Sequence, residues 1–310
     1  MEQAMTDTPS QRRFDDRVVV ITGSARGLGR AYAELVASLG AKVVINDNGS
    51  ALSGSGGDAG PAEEAAQALR DMGAEAVANT DSVATPEGGK AIIETALDTF
   101  GRIDVLIHNA GNNRFAPLTE TSYEDFRAVL DVHLLGAFHV VRPAFEQMVK
   151  AGYGRVVLTG SIGGLYTMPQ TVNYAMSKSG MIGLNNTVAI EGKDFGVKSN
   201  IILPGAVTRM AEGLDISQYP PMGPDLVAPV VGFLAHDSCP VSGEMYVSMA
   251  GRIARAFVTE TRGVYQPEWT IDQVAGQLDA IRDESELWTF HPAENGFGEH
   301  MVKSFEMARS

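Results

Sequence analysis

Tyr174 and Lys178 stand four residues apart, and Ser161 precedes the tyrosine by thirteen. On a helix, residues i and i+4 share a face. An ammonium beside a phenol favours the phenolate and lowers the tyrosine pKa from its free value of about 10. A tyrosine tuned this way can take or give a proton near neutral pH. A serine hydroxyl beside it could hold the oxygen of an alcohol or a carbonyl. Together the three suit the interconversion of a secondary alcohol and a ketone, provided a hydride acceptor lies alongside.

The first part of the chain has the pattern of a site for such an acceptor. Residues 17–22, RVVVIT, are a short apolar run that suits a strand buried on both faces. Gly23, Gly27 and Gly29 follow in Thr-Gly-x-x-x-Gly-x-Gly, with Arg26 and Leu28 inside the turn. Residues 30–39 are helix-forming, and a second apolar strand over 42–46 ends in Asp47. Strand, glycine turn, helix, strand, acid is the order of a dinucleotide-binding unit. The glycines let main chain approach a pyrophosphate, and the helix N-terminus supplies amide donors. The spacing is not the G-x-G-x-x-G form, because position 32 is Tyr32. Asp47 fits a bond to ribose hydroxyls and repels a 2′-phosphate, which points to NAD. Arg26 pulls the other way, toward NADP as the second choice.

Further elements must place the remaining groups. A glycine- and serine-rich loop spans 48–61 and a helix 62–72. A strand over 74–79 leads to Asp81 and Ser82, where adenine would lie. A helix over 86–100 precedes a strand at 105–108, then Asn109, Ala110 and Gly111. A helix over 122–149 carries His133, and a strand at 155–159 delivers Ser161. The helix near Tyr174 supplies the pair, a strand at 199–203 ends at Pro204-Gly205, and a strand at 244–248 closes the sheet. This alternation predicts an α/β fold, a doubly wound parallel sheet of Rossmann type. The domain spans 15–250, after a flexible segment 1–14 and before an extension 251–310 with a helical signal at 271–283. The extension would cover the active site or a subunit interface.

Composition narrows the partners. A net charge of −14 argues against nucleic acid, whose phosphates need clustered Lys and Arg. The single cysteine, Cys239, excludes an intramolecular disulfide framework and a cysteine-rich metal site, and no metal is expected. No run of eighteen apolar residues suggests a membrane span, and neither terminus carries a targeting signal, so a cytoplasmic protein is expected. Ile162, Leu165, Tyr166 and Met168, with Met210, Leu214, Ile216, Tyr219 and Met222, would line an apolar substrate pocket. Arg209, Arg252, Arg255 and Arg262 are candidate cations for a phosphorylated substrate. Homodimers and homotetramers are the expected assemblies.

Over residues 15–250 these motifs resemble the short-chain dehydrogenase/reductase family. The resemblance implies that Tyr174 is the general acid/base and that Lys178 lowers its pKa and holds the nicotinamide ribose. It implies that Ser161 orients the substrate oxygen and that the segment from Pro204 to Thr208, with Gly205 and Val207, meets the nicotinamide. The family usually has an asparagine where His133 stands, linking the lysine to a water chain; imidazole both donates and accepts, so it could serve in that relay. Within the family, RVVVITGSARGLGRAYAE, VVINDNGS and DVHLLGAFHV look like the dehydrogenase unit of type 2 multifunctional enzymes and their stand-alone bacterial relatives. That resemblance implies oxidation of a (3R)-hydroxyacyl-CoA, with a hydroxysteroid or other lipophilic alcohol as the alternative substrate. The rival from another class is a dinucleotide-binding sensor or scaffold without catalysis.

Overall fold

The computed structural model describes residues 12–51, 53–207 and 219–309. The first half alternates β1 (Val18–Thr22), α1 (Gly27–Ser38), β2 (Lys42–Asn46), α2 (Gly60–Asp71), β3 (Ala76–Asn79), α3 (Pro86–Phe100) and β4 (Val105–His108). The second half runs α4 (Tyr123–Leu130), α5 (Gly136–Ala151), β5 (Gly154–Thr159), α6 (Val172–Gly192), β6 (Val197–Gly205), α7 (Ala228–Ala235), β7 (Met245–Met249) and β8 (Arg252–Ala256). The sheet order is β3-β2-β1-β4-β5-β6-β7-β8. All neighbours are parallel except β7 and β8. The order therefore reverses between β1 and β4, and ligands bind at the carboxyl ends flanking such a reversal.

The strands are apolar because both faces are covered. Every residue of β1, β4 and β5 is buried. On one face Tyr32, Val36, Leu69 and Val231 bring α1, α2 and α7 against the sheet. On the other, Ile92, Ala96, Val140, Met148 and Met181 do the same for α3, α5 and α6. The run Tyr123–Ala151 is long and apolar enough to cross a membrane by length and composition. Here its apolar side, including Ala137, Val140 and Ala144, is buried in this second cluster.

Two expectations need correcting. The single helix over 122–149 is two helices joined by a π turn, Asp131–Leu135, so the ladder is widened at His133. The strand near 244–248 does not close the sheet. Ala250 and Gly251 both have positive φ, 49° and 79°, the geometry of a tight hairpin, and β8 returns antiparallel as an edge strand.

The extension holds β9 (Glu260–Thr261), α8 (Ile271–Gly276), α9 (Leu278–Ile281), β10 (Leu287–Trp288) and α10 (Gly296–Met307), with β9 and β10 antiparallel. The expected helix at 271–283 breaks at Gln277, just after Gly276. A capping box between Thr270 and Gln273 starts its first piece. The extension meets the sheet at buried Glu244, which accepts Tyr246 Oη at 2.5 Å and lies 3.3 Å from Arg255 and 3.4 Å from His291 Nε2. Val258, Trp288, Phe290 and Phe297 gather round Asn186 and Ile190. Asn186 lies twelve residues along α6 from Tyr174, about 18 Å at helical rise. This part of the extension therefore stands away from Tyr174 of its own chain.

Candidate active site

The turn after β1 is built by close approach. Gly23 has φ +64°, and a Cβ there would lie 2.7 Å from Ala110 Cα. Gly29 has ordinary helical dihedrals, but its Cβ would lie 2.3 Å from the Gly23 carbonyl oxygen and 2.7 Å from Asn109 Nδ2. Asn109 Nδ2 donates to the Gly23 carbonyl at 2.8 Å, tying the turn to the end of β4. A side chain at either glycine would fill the space against which this turn is folded.

A cleft of about 340 Å³ opens on this turn. Gly23, Arg26, Gly27, Leu28, Asp47, Asp81, Ser82, Asn109, Ala110 and Gly111 all line it. Ten positions predicted from separate parts of the chain thus share one wall. Asp47 Oδ2 accepts the Ala25 N–H at 3.1 Å and its Oδ1 accepts the Gly49 N–H at 2.9 Å. The carboxylate is thereby fixed at the end of β2. Asp81 is held by Asn79 Nδ2 at 2.7 Å. Glycine cradle, fixed acid and cleft fit a dinucleotide: the glycines and the start of α1 would meet its phosphates, and Asp47 a ribose.

The catalytic candidates lie beyond that cleft. Ser161 follows β5, and its hydroxyl accepts the Gly163 N–H at 3.0 Å. Tyr174 sits in the first turn of α6, where its N–H donates to Asn173 Oδ1 at 2.8 Å. Lys178, one turn on, is buried, its Nζ donating to the Thr159 carbonyl at 2.5 Å and lying 5.7 Å from the centre of the Tyr174 ring. Burial brings Lys178 down to about 7. Tyr174 is pushed up by burial, while the Ser161 hydroxyl pulls it down. This corrects the simple expectation of an ammonium lowering the phenol: Lys178 points to a carbonyl, and Ser161 is the group that favours the phenolate here. His133 is buried in the π turn with its ring edge-on to Tyr174, centroids 5.3 Å apart at 82°. Burial and Lys178 hold it well below the ordinary imidazole value, so it stays neutral.

Pro204 and Gly205 end β6, and Val207 N–H donates to the Met222 carbonyl at 2.7 Å. Thr208, Arg209, Met210, Leu214 and Ile216 lie outside the described residues. Among the expected pocket residues, Ile162 and Leu165 pack against the core beside α6. Leu165 and Met168 line a separate apolar depression with Met176 and Ser179. Arg255 is paired with Glu244 and Arg262 with Glu286 at 3.4 Å.

The sequence reading missed Arg114. Its Nε donates to the Ser53 carbonyl at 2.8 Å, its Nη1 pairs with Asp125 at 2.8 Å, and its own carbonyl accepts Asn173 Nδ2 at 2.8 Å. Ser50, Ala51 and Gly54 of the glycine-rich loop line the cleft, so Arg114 straps that loop to the base of the catalytic helix. No local pattern marks a residue two of whose three partners, Ser53 and Asn173, lie some sixty positions away. A charge-assisted hydrogen bond of this kind contributes about 1.5–3 kcal/mol. Arg114→Ala is expected to weaken dinucleotide binding about tenfold, chiefly through faster release, as read by quenching and stopped-flow fluorescence with reduced cofactor. Unchanged release would show that the loop does not hold the ligand.

The model of the short chain dehydrogenase family matches residues 17–216. This chain is a short-chain dehydrogenase. Peroxisomal multifunctional enzyme type 2 of Drosophila melanogaster is 43% identical over 261 residues, covering 84% of this chain and 43% of that protein. A Mycobacterium tuberculosis protein named as a short-chain type dehydrogenase/reductase is 39% identical, with 87% and 95% covered. The solved full-length Drosophila enzyme superposes with a TM-score of 0.80 at 35% identity, over 96% of this chain and 50% of that one. A short chain dehydrogenase from Mycobacterium avium does so at 0.75 and 33%, with 88% and 98% covered. The chain thus spans half or less of the multifunctional enzyme. As a short-chain dehydrogenase it is an oxidoreductase acting on CH–OH groups with a nicotinamide dinucleotide.

Proposed function

We propose that the chain is an NAD-dependent dehydrogenase of 3-hydroxyacyl-CoA thioesters, with Tyr174 as the proton-transferring group. The observation that carries the reading is Tyr174 and Lys178 on one turn of α6 beside Ser161, which follows β5, the strand paired with β4. The choice of NAD rests on Asp47, fixed by two main-chain amides in the cleft wall. A 2′-phosphate against that carboxylate would meet like charge. The substrate class rests on likeness to multifunctional enzyme type 2 and to the yeast peroxisomal hydratase-dehydrogenase-epimerase, 41% identical over 248 residues.

The bound nicotinamide supplies the redox chemistry. The chain's own part is proton transfer and positioning. Ser161 would hold the substrate oxygen and Tyr174 would take its proton as the carbonyl forms. Lys178, braced on the Thr159 carbonyl, would fix the cofactor ribose. His133, whose Nδ1 has no hydrogen-bond partner among the described residues, would be the next group of the relay beside Tyr174. Exposed Tyr123, Phe138 and Met176 on α4, α5 and α6 would be covered in a homodimer or homotetramer.

The test is reduction of NAD and of NADP with 3-hydroxyacyl-CoAs of both hands, short and long, and a set of hydroxysteroids. Turnover of one hand of the acyl-CoAs with NAD is the expected result. Steroid turnover with silent acyl-CoAs would overturn the substrate class. Tight dinucleotide binding with no turnover of any alcohol would favour a sensor or scaffold.

A further inference from the structure

The last residue of β4, His108, is buried with no exposed surface, yet no step above uses it. Its two ring nitrogens have defined partners. Nδ1 lies 3.0 Å from Thr22 Oγ1, and Nε2 lies 3.3 Å from the His133 carbonyl oxygen. Thr22 Oγ1 already accepts the main-chain N–H groups of Asn109 and Ala110, each at 3.1 Å. With both lone pairs engaged, the hydroxyl can only donate, and its proton goes to His108 Nδ1. The proton of a neutral His108 is then on Nε2, where it is donated to the His133 carbonyl. Burial and the nearby Lys178 bring His108 down to about 3, so the ring stays neutral through the working range.

The carbonyl it holds is in an unusual place. His133 sits at the centre of the π turn, Asp131–Leu135. Such turns are rare, and they occur frequently at functional sites. On its other side the His133 ring is seated against Asn112, with Nε2 3.0 Å from the main-chain nitrogen and 2.8 Å from the oxygen. The seat requires Gly111, where a Cβ would lie 2.4 Å from His133 Cε1. The same ring lies edge-on to Tyr174.

We propose that His108 is a positioning residue for the proton transfer at Tyr174, acting through the carbonyl of His133. It anchors the widened turn, and the turn sets the ring that supports the tyrosine. A chain of contacts thus runs from Thr22, at the mouth of the glycine turn, through His108 and His133 to Tyr174. The inference rests on the reading of Tyr174 as the proton-transferring group. Without the Nε2–H donor the His133 carbonyl loses a buried partner and the turn can relax toward regular helix. That rotates His133 away and leaves Tyr174 free to shift, and a displacement of about 1 Å can lower a rate about 100-fold.

His108→Leu is expected to lower kcat about 10- to 100-fold, with KM for dinucleotide and alcohol within about threefold, the signature of lost transition-state positioning. His108→Gln, whose amide can donate to the same carbonyl, should restore most of kcat. A purely packing role would make leucine and glutamine equally slow, and that result would overturn the proposal, as would wild-type kcat in His108→Leu. Should His108→Leu fail to fold, nitrogen-15 NMR of the native protein decides: a protonated Nε2 with a bare Nδ1 on His108 is expected, and the opposite tautomer or a cation would sink the idea. Tyr174→Phe run in parallel separates the two readings. If it keeps turnover, the reading of the site fails. If it is inactive while His108→Leu is not, only the role of His108 fails.

Discussion

Tyr174→Phe should lose about 10²–10⁴-fold in kcat, the usual contribution of a positioned proton-transfer group, while binding the dinucleotide within about threefold of wild type. Phenylalanine keeps the ring that packs edge-on to His133 and removes only the oxygen, so folding and the cofactor cleft should be untouched. The pH dependence of the parent enzyme follows from the same oxygen. Burial pushes the Tyr174 pKa up and the Ser161 hydroxyl offsets part of it. Oxidation of an alcohol requires the unprotonated oxygen, and so its rate should rise with pH on the alkaline side. Reduction of the ketone requires the proton and should fall over the same range. Parallel initial-rate profiles in the two directions would check this. Profiles that rise together would assign the titration to another group. Lys178, brought to about 7 by burial, is the first alternative.

Gly29→Ala is the second substitution with a large expected effect. The added carbon would lie 2.3 Å from the Gly23 oxygen, 2.7 Å from Asn109 Nδ2 and 2.8 Å from Ser24 Cα. Two of these are main chain, so no side-chain rotation relieves them. The dihedrals at Gly29 already suit alanine, and the damage is therefore steric. Overpacking of this kind costs about 1–3 kcal/mol of stability. The larger loss is in ligand binding: moving α1 off the turn removes the amides that would meet the phosphates, and more than about 100-fold weaker dinucleotide affinity is expected. Thermal unfolding with and without reduced cofactor reads both effects. Gly183→Ala in α6 is the control, because among the described residues nothing lies within 4 Å of its added carbon. Helix propensity there favours alanine by about 1 kcal/mol, so the control should be slightly more stable with unchanged binding. Equal behaviour of the two variants would refute the steric account.

The parts of the site that were legible in the sequence are those whose geometry is local. The run RVVVIT followed by spaced glycines specifies a buried strand, a turn and a helix within some twenty residues, and Asp47 closes the same unit. Tyr174 and Lys178 are legible because helical spacing alone puts them on one face. His108 was hidden because its meaning lies in two distant partners, Thr22 and His133. A polar residue ending the apolar strand VLIH was the one available hint. The π turn escaped because a single inserted residue leaves the apolar pattern of 123–151 nearly regular. The edge strand β8 was obscured for a similar reason: Ala250-Gly251 is short, and alternation over residues 252–256 is weak. The break at Gln277 needed only one glycine, Gly276, inside an otherwise good helical pattern.

The reversal of strand order between β1 and β4 also bears on how the chain is made. β1 pairs with β2 on one side, but its other edge waits for residues 105–108. During synthesis the apolar edge Val18–Thr22, with no charge along it, stays open until the first hundred residues have emerged. Exposed apolar edges are templates for association between nascent chains. The seam is bracketed at its start by Asp104, which accepts the Val18 N–H at 2.9 Å and pairs with Arg17 at 3.1 Å and Arg102 at 2.6 Å. Once β4 arrives, that carboxylate fixes the register of the two strands and seals the edge. Chaperone demand for this chain should therefore be highest before residue 108 clears the ribosome.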